Sequence, residues 1–308
     1  MATLLDMINE VSMNLSGYTL QQDRATHITA DVAATASTIA APITLSLAST
    51  DSVGKGIVEI DEELFWVDNY DRVGNTATIA PYGRAYLGTT LAAHTAGVKV
   101  TIAPTFPRFT IKRAINDTIN AIGASIFAAK TTTITSNAAV AAFRLPTTGT
   151  TLNISKILSI AYQTLGASKE WTPIRSYRFD GNANSTAFTS GQTVSIYDYI
   201  PSGRTIQIVY ATDPSPFTDN TETFTTQTGL PESCKDIIIL GATYRLLSNL
   251  DPARASMVSP QADETDSKRP YGSSQSLTKQ VYALFNQRLN EEIKNQQDKY
   301  PIRVHYSL

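Results

Sequence analysis

The sequence predicts an α+β fold in which a helical bundle carries two inserted antiparallel β-domains, a small barrel and a sandwich. Three observations lead there. Hydrophobic spacing switches between helical and alternating periods several times along the chain. The alternating stretches are short, closely spaced and separated by turn residues. The helical stretches lie before, between and after them, so helices far apart in sequence must find one another.

The first segment, residues 1–27, is expected to hold a helix over 4–15. Leu4, Ile8, Val11 and Leu15 fall on one stripe, and Thr3 with Asp6 resembles a capping pair. A helix with one apolar stripe must dock on something. Residues 28–104 then read as β. Stretches 43–47 and 57–61 alternate with period two, 75–79 follows a turn at 71–74, and 98–102 closes the run. Strands so short and close suit a small barrel.

Pro104 and Pro107 mark the next switch, into segment 105–130. Ile111, Ile115, Ile119, Ile122 and Ile126 predict a long helix over 109–129. Arg108, Lys112 and Arg113 crowd its first turn, where the helix dipole is positive and bases are disfavoured. The bland reading is a solvated basic turn; the alternative is a carboxylate or a partner close by.

Residues 131–229 are Thr-rich, poor in charge and strand-like at 131–135, 157–162, 177–179, 194–197 and 205–210. Turn residues separate these stretches at 180–181, 190–191 and 201–203, and a sandwich packs such strands. Two helices follow within 230–298. One, over 237–250, is apolar nearly all round with only Arg245 charged, and is expected to be buried on several sides. The other, over 276–297, sets Leu277, Val281, Leu284, Phe285 and Ile293 on one face. The stretch 251–275, with Pro252, Pro260, Pro270 and Gly272, is longer than most connections and is expected to order only on assembly. Residues 299–308 alternate without a cap and read as an extended docking arm, with Tyr300, Ile302, Val304 and Tyr306 as its contact residues.

Composition narrows the function. With 25 basic and 27 acidic residues the net charge is -2, which argues against a dedicated nucleic-acid binder. A single cysteine, Cys234, excludes an intramolecular disulfide. No basic leader or apolar run of about 20 residues is present, so a soluble protein without signal peptide or membrane span is expected.

Catalytic chemistry finds little support. His27, His94 and His305 lie far apart, and none has a second His or Cys at metal-ligand spacing, so no metal or cofactor is expected. Asp61, Glu62 and Glu63 are consecutive: on a strand they point to opposite faces, and in a turn to water, which suits acid/base work poorly. The glycines at 54–56 and 83–88 lack phosphate-loop and dinucleotide fingerprints. Cys234 opens a predicted helix without a catalytic partner and reads as buried and inert. Trp66, Tyr70, Tyr82 and Tyr86 form either a sugar-stacking platform or, the better reading, rings filling the barrel core.

The run over 84–100, RAYLGTTLAAHTAGVKV, adds a resemblance. With IDEELFWV over 60–67 it resembles a small β-module of tailed-bacteriophage virion proteins, carrying an R-G-x-x-G-T-x-A-x-x-H-x-x-G pattern. The match covers Arg84, Gly88, Thr89, Ala92 or Ala93, His94 and Gly97, and departs at Ala85, where the pattern has glycine. The role it implies is structural: Gly88 and Gly97 supply turns, while Thr89 and His94 satisfy backbone groups at a tight corner. Taken with the order of helices, the chain resembles the head-to-tail connector, or adaptor, proteins of long-tailed phages. That resemblance implies a helical bundle of adaptor type and a homo-oligomeric ring, usually of 12 copies, with the arm docked on the portal protein. It further implies a neck, stopper or tail-completion protein as neighbour, and genomic DNA passing through the lumen without sequence-specific binding. Such a protein is assembled in the host cytoplasm and resides in the virion at the head-tail junction, away from membranes. The alternative is a baseplate or tail-tip carbohydrate-binding structural protein that uses the aromatic β-domain. A virion-associated hydrolase, resting on Asp61 to Glu63 alone, is the weakest reading.

Overall fold

The computed structural model describes residues 2–17, 23–35, 37–137, 140–145, 154–165, 169–188, 190–248 and 273–301. It shows a mixed α+β chain with several antiparallel sheets. Two compact units make it up, one of Leu5–Ile115 with Ile239–Val281, the other of Met1–Leu4, Asn116–Ile238 and Tyr282–Leu308.

The first unit contains nearly all of helix α1 (Leu4–Ser16), whose Met7, Ile8, Val11 and Leu15 are buried. Next come β1 (Arg24–His27), the short helix α2 (Ser37–Ala40), β2 (Ile43–Ser46), β3 (Gly56–Ile60), β4 (Glu63–Asp71), β5 (Thr76–Ile79) and β6 (Lys99–Ile102). These strands form one antiparallel sheet in the order β1-β6-β3-β4-β5-β2. Its two edges meet where Ile28 bridges Leu47. There the Thr29 N–H donates to the Ser46 carbonyl at 2.9 Å and the Ala48 N–H to the His27 carbonyl at 3.0 Å. The sheet thus closes on itself as a small barrel, which removes the free edges. Its core is aliphatic around a single large ring, Phe65, with Ile28, Leu45, Val58, Ile60, Val67, Ile79 and Val100. Strands β1 and β4 went unpredicted. The acidic start of β4 reads as a turn, and its first three residues are all buried, so no alternation shows there.

In the second unit, β7 (Ala128–Thr135), β9 (Ile154–Gln163), β10 (Trp171–Pro173) and β13 (Thr205–Thr212) form a sheet in the order β10-β9-β13-β7. A second sheet, in the order β11-β12-β8, holds β8 (Ala142–Arg144), β11 (Tyr177–Asp180) and β12 (Thr193–Ile196). Ile134, Ile160, Ile206 and Ile208 from the first sheet share a core with Val194 and Ile196 from the second. Two sheets packed on one core make the expected sandwich. The three-residue strands β8 and β10 are too short to show a period, which is why the sequence hides them.

Helix α3 (Arg108–Ile122) starts where expected but stops well short of residue 129. Gly123 follows it, and a tight turn returns the Ser125 and Ile126 N–H groups to the Ile122 carbonyl, both at 2.8 Å. Ile126 is buried as the spacing predicts, yet from this turn, and Ala128 already opens β7. Helices α4 (Phe224–Thr228), α5 (Lys235–Leu247) and α6 (Ser273–Lys299) complete the chain. Pro231 precedes a single 3-10 turn, Glu232–Cys234, that runs straight into α5. The part of the 251–275 stretch before Ser273 lies outside the described residues. No helix among the described residues is long and apolar enough to cross a membrane.

Candidate functional site

The residues of the 84–100 run converge on one carboxylate that the sequence did not single out. Asp61 and Glu62 make the turn between β3 and β4, and Asp61 takes a left-handed φ of 55°. Glu63, the next residue, opens β4 and is 1% exposed. Burying an ionised carboxylate is costly unless it is paired and fully hydrogen-bonded. Glu63 meets that condition. Its Oε1 accepts from Arg84 Nε and from the Ala85 N–H, each at 3.0 Å. Its Oε2 accepts from the Arg84 guanidinium at 2.8 Å and from the Ala92 N–H at 3.0 Å, and lies 3.0 Å from His94 Nε2.

Arg84 grips Glu63 with two nitrogens, a geometry matched to a carboxylate. It also donates to the Ala33 carbonyl at 2.5 Å and the Ala92 carbonyl at 2.6 Å, and stands 5.1 Å over the Phe65 ring. The other ring nitrogen of His94, Nδ1, lies 2.8 Å from Asp61 Oδ2. With a carboxylate acceptor on each side, the ring serves both only as a double donor, the imidazolium. The pKa values agree in direction. Burial pulls the His94 value down, but the hydrogen bonds it donates to Glu63 and Asp61 outweigh it and hold the imidazolium above its usual 6.5. Burial likewise pushes Glu63 up, but the bonds from His94, Arg84 and the Ala92 and Ala85 N–H groups prevail, leaving it at about 2.

Two expectations are corrected here. Glu63 neither points to water nor shares a turn with Asp61 and Glu62, because it is the anchor of the motif. His94 satisfies carboxylates with its ring, and only its main chain serves the corner, through a reciprocal pair with Val32 at 2.8 and 2.9 Å. The Thr89 hydroxyl accepts from the Leu64 N–H at 3.1 Å and donates to the Tyr86 carbonyl at 3.0 Å. Gly88 and Gly97 have φ of 81° and 90°, so both supply left-handed turns.

The departure at Ala85 also acquires a meaning. Ala85 has φ 48°, a conformation that disfavours any side chain and explains why the pattern carries glycine there. Tyr82 and Leu87, at φ 58° and 56°, share the strain. Gly83 between them has no room for a Cβ, which would sit 2.8 Å from the Ala80 carbonyl and 2.9 Å from that of Trp66. A loop held from inside by the buried ionic network thus turns Tyr82 and Leu87 outward, 70% and 65% exposed. Trp66 stacks at a tilt on Tyr86, centroids 5.3 Å apart. The core-filling reading of these aromatics is therefore incorrect for Trp66 and Tyr82, which face outward because Phe65 takes the inner place; Tyr70 alone packs partly against the core.

The basic turn of α3 finds its carboxylates within the same unit. Glu59, buried on β3, accepts from the Arg108 N–H at 2.5 Å, capping the helix and facing its positive end. Glu62 pairs with Lys112 at 3.2 Å, and Arg108 donates to the Asn9 side chain at 2.6 Å. Burial drives the Glu59 pKa up to about 7 against the lowering pull of the Arg108 N–H.

The arm is seen only at its root. Tyr300 lies with its ring 5.9 Å from that of Phe127, while Ile302, Val304 and Tyr306 lie outside the described residues. Nearby in the chain, α6 is held to the start of α5. Arg288 pairs with Asp236 at 2.6 Å and with Glu291, and Glu292 accepts from the Ser233 hydroxyl at 3.0 Å. Cys234 is buried and its thiol is pushed up to about 12 by burial and by Glu292, which keeps it unreactive. No group of acidic, His or Cys residues able to hold a metal occurs among the described residues. In the Glu63 network every donor faces an acceptor, and the carboxylate holds its charge down to about pH 2. Such a group is a fixed structural charge and a poor proton carrier.

The family model for the SU10 adaptor protein matches residues 89–305, well over half of the chain. No curated protein matches it.

Proposed function

The chain belongs to the SU10 adaptor protein family, and on that premise we propose that it forms the ring joining the capsid portal to the neck and tail. In this reading it is a non-enzymatic phage structural protein, present in the virion at the head-tail junction, whose ring lets genomic DNA pass. The observation that carries the reading is the family match across both the sandwich and the C-terminal helices. Its helices would form the bundle from which barrel and sandwich project, with copies of the chain, usually 12, side by side. The exposed apolar residues Leu5 and Met13 on α1, and Leu277, Tyr282 and Leu284 on α6, suit lateral neighbours. A net charge of -2 suits a lumen through which DNA slides without sticking. Residues 299–308 would dock on the portal, and a stopper or tail-completion protein would cover the opposite face.

Negative-stain imaging of the purified protein, alone and mixed with its portal, tests the proposal. Rings centred on the portal are expected, and deletion of 299–308 should abolish binding while the circular dichroism spectrum stays unchanged. A protein that remains monomeric beside its portal overturns it. The tilted Trp66–Tyr86 ring contact and the exposed Tyr82 favour a second reading, a carbohydrate-binding baseplate or tail-tip protein. It predicts glycan-array hits that weaken with Trp66→Ala, and an empty array removes it.

A further inference from the structure

The sandwich has two ends with different duties. The chain enters β7 at Ala128 and leaves β13 at Thr212, and these residues are paired, so both connections to helices lie at one end. At the other end, where Thr135 pairs with Thr205, the chain turns from β9 to β10 and from β12 to β13. The first turn carries exposed Leu165 and, opening β10, exposed Trp171; the second carries Tyr197 and Tyr199, the latter 89% exposed. Asp198, between the two tyrosines, accepts from the Arg175 N–H at 2.8 Å and so draws the segment after β10 to the second turn. Lys169 and Arg175 are exposed at this end.

The barrel carries the opposite charge. Residues 23–103 hold nine acidic and five basic residues, a net -4 with His uncharged, while 128–212 hold three acidic and seven basic, a net +4. At the corner anchored by Glu63, the basic groups of the 84–97 stretch, Arg84 and His94, are buried. Two carboxylates are exposed there: Asp61, whose Oδ2 meets His94, and Asp31, whose Oδ1 accepts from the Ala96 N–H at 2.7 Å. Tyr82 and Leu87 are turned outward from the same corner, on a loop whose left-handed residues the ionic network holds in place. Large apolar side chains presented on so rigid a loop mark a contact surface.

We propose that the sandwich end bearing Trp171, Tyr197 and Tyr199 docks on the 82–97 corner of the barrel in a second copy of this chain, with Lys169 and Arg175 facing Asp31 and Asp61. The charges choose the occupant. Two patches of opposite sign on one chain, both with exposed apolar side chains, fit a head-to-tail contact between copies, the kind that closes into rings. Charge steers the approach and sets the register, while burial of the aromatic rings supplies the affinity. The adaptor reading adds only that the copies close into a ring; the contact itself does not depend on the portal.

Charge reversal tests it in the full-length protein, alone and with its portal, by sedimentation velocity at micromolar concentrations. Lys169→Glu with Arg175→Glu makes the sandwich end acidic, and Tyr82→Lys with Leu87→Lys makes the barrel corner basic; the four residues are exposed, so the fold is kept. The wild type should self-associate, more weakly at about 300 mM salt than at about 50 mM. Either variant alone should lose about tenfold or more in affinity for itself. Mixed, the two set opposite charges face to face again, and should bind each other about tenfold more tightly than either binds itself. Variants that associate as the wild type does, or a mixture that gains nothing, overturn the proposal and leave the adaptor reading standing. Charge-dependent association without portal binding supports the proposal and overturns that reading. A wild type that is monomeric both alone and with its portal overturns both.

Discussion

The barrel and the sandwich are both small antiparallel β-domains, yet they fix their loops by different physics. In the barrel the fixing element is ionic and buried: one carboxylate, one guanidinium and one imidazolium hold the 84–94 stretch against the start of β4. In the sandwich, neutral or exposed side chains each hold a pair of main-chain groups. Gln192 holds both the N–H and carbonyl of Ile154 at 3.2 and 3.3 Å. The Ser136 hydroxyl ties the Pro201 carbonyl at 2.6 Å to the Arg204 N–H at 2.8 Å. Asp198 accepts from the Arg175 and Ser176 N–H groups at 2.8 and 3.1 Å. A buried ionic hub holds several segments at once and tolerates left-handed residues such as Ala85 and Leu87, but it ties the domain to pH. Distributed main-chain contacts hold less strain and respond weakly to pH.

Each domain carries one tryptophan, Trp66 in the barrel and Trp171 in the sandwich, so fluorescence reads them separately. With Trp171→Phe the signal reports the barrel, and with Trp66→Phe the sandwich. The largest effect is expected from Arg84→Met, which leaves Glu63 buried without its main partner. It should cost the barrel about 3–5 kcal/mol in denaturant titrations and leave the Trp171 transition in place. A loss under about 1 kcal/mol would mean that the hub does not hold the domain.

Next comes pH. Glu63 has a folded pKa of about 2 against 4.5. Its contribution is present above about 4.5 and is lost as pH falls through about 2, amounting to about 3 kcal/mol. His94 works in the opposite sense. Its raised value makes its contribution full below 6.5 and lost as pH rises through the folded value. The Trp66 transition should therefore weaken on both sides of a maximum while the Trp171 transition stays nearly flat. Parallel curves for the two tryptophans would remove the distinction.

Glu59 tests how the barrel meets α3. With its pKa raised to about 7, its stabilising, protonated form is complete below 4.5 and lost as pH rises through about 7. Glu59→Gln keeps an acceptor for the Arg108 N–H. It should stabilise by about 2 kcal/mol at pH 8.5 and leave stability nearly unchanged at pH 4, as read by melting at the two pH values. In the sandwich, Gln192→Leu should cost about 1 kcal/mol at every pH. The smallest change is Ala85→Gly, which relieves a left-handed alanine and should gain about 0.5–1 kcal/mol in the barrel alone.

Much of the architecture was legible in the sequence. The starts of α1 and α3, the strands at 43–47, 57–61 and 205–210, and the sandwich all follow from periods that burial on one face imposes. Expectations failed where period carries no information. The α3 spacing continued past its real end because Ile126 is buried from a turn, and β8 and β10 are too short to alternate. In the 84–100 run, Gly88 and Gly97 make left-handed turns and the Thr89 hydroxyl meets two main-chain groups, while the carboxylate on which the run converges, Glu63, lies outside it. The arm beyond Tyr300 remains a reading of alternation alone.

The sequence by itself determined the α+β class, the balance of charge and the residue types of the barrel motif, because hydrophobic period and turn chemistry act over a few neighbours. Only tertiary structure decided what those residues do. The 21 positions between Glu63 and Arg84, and the 31 between Glu63 and His94, are closed by folding the sheet into a barrel. Nothing local distinguishes a carboxylate that will meet water from one that will lie in a low-dielectric corner beside a guanidinium. The same closure decided that the basic turn of α3 faces Glu59 and Glu62, and that Trp66 and Tyr82 look outward.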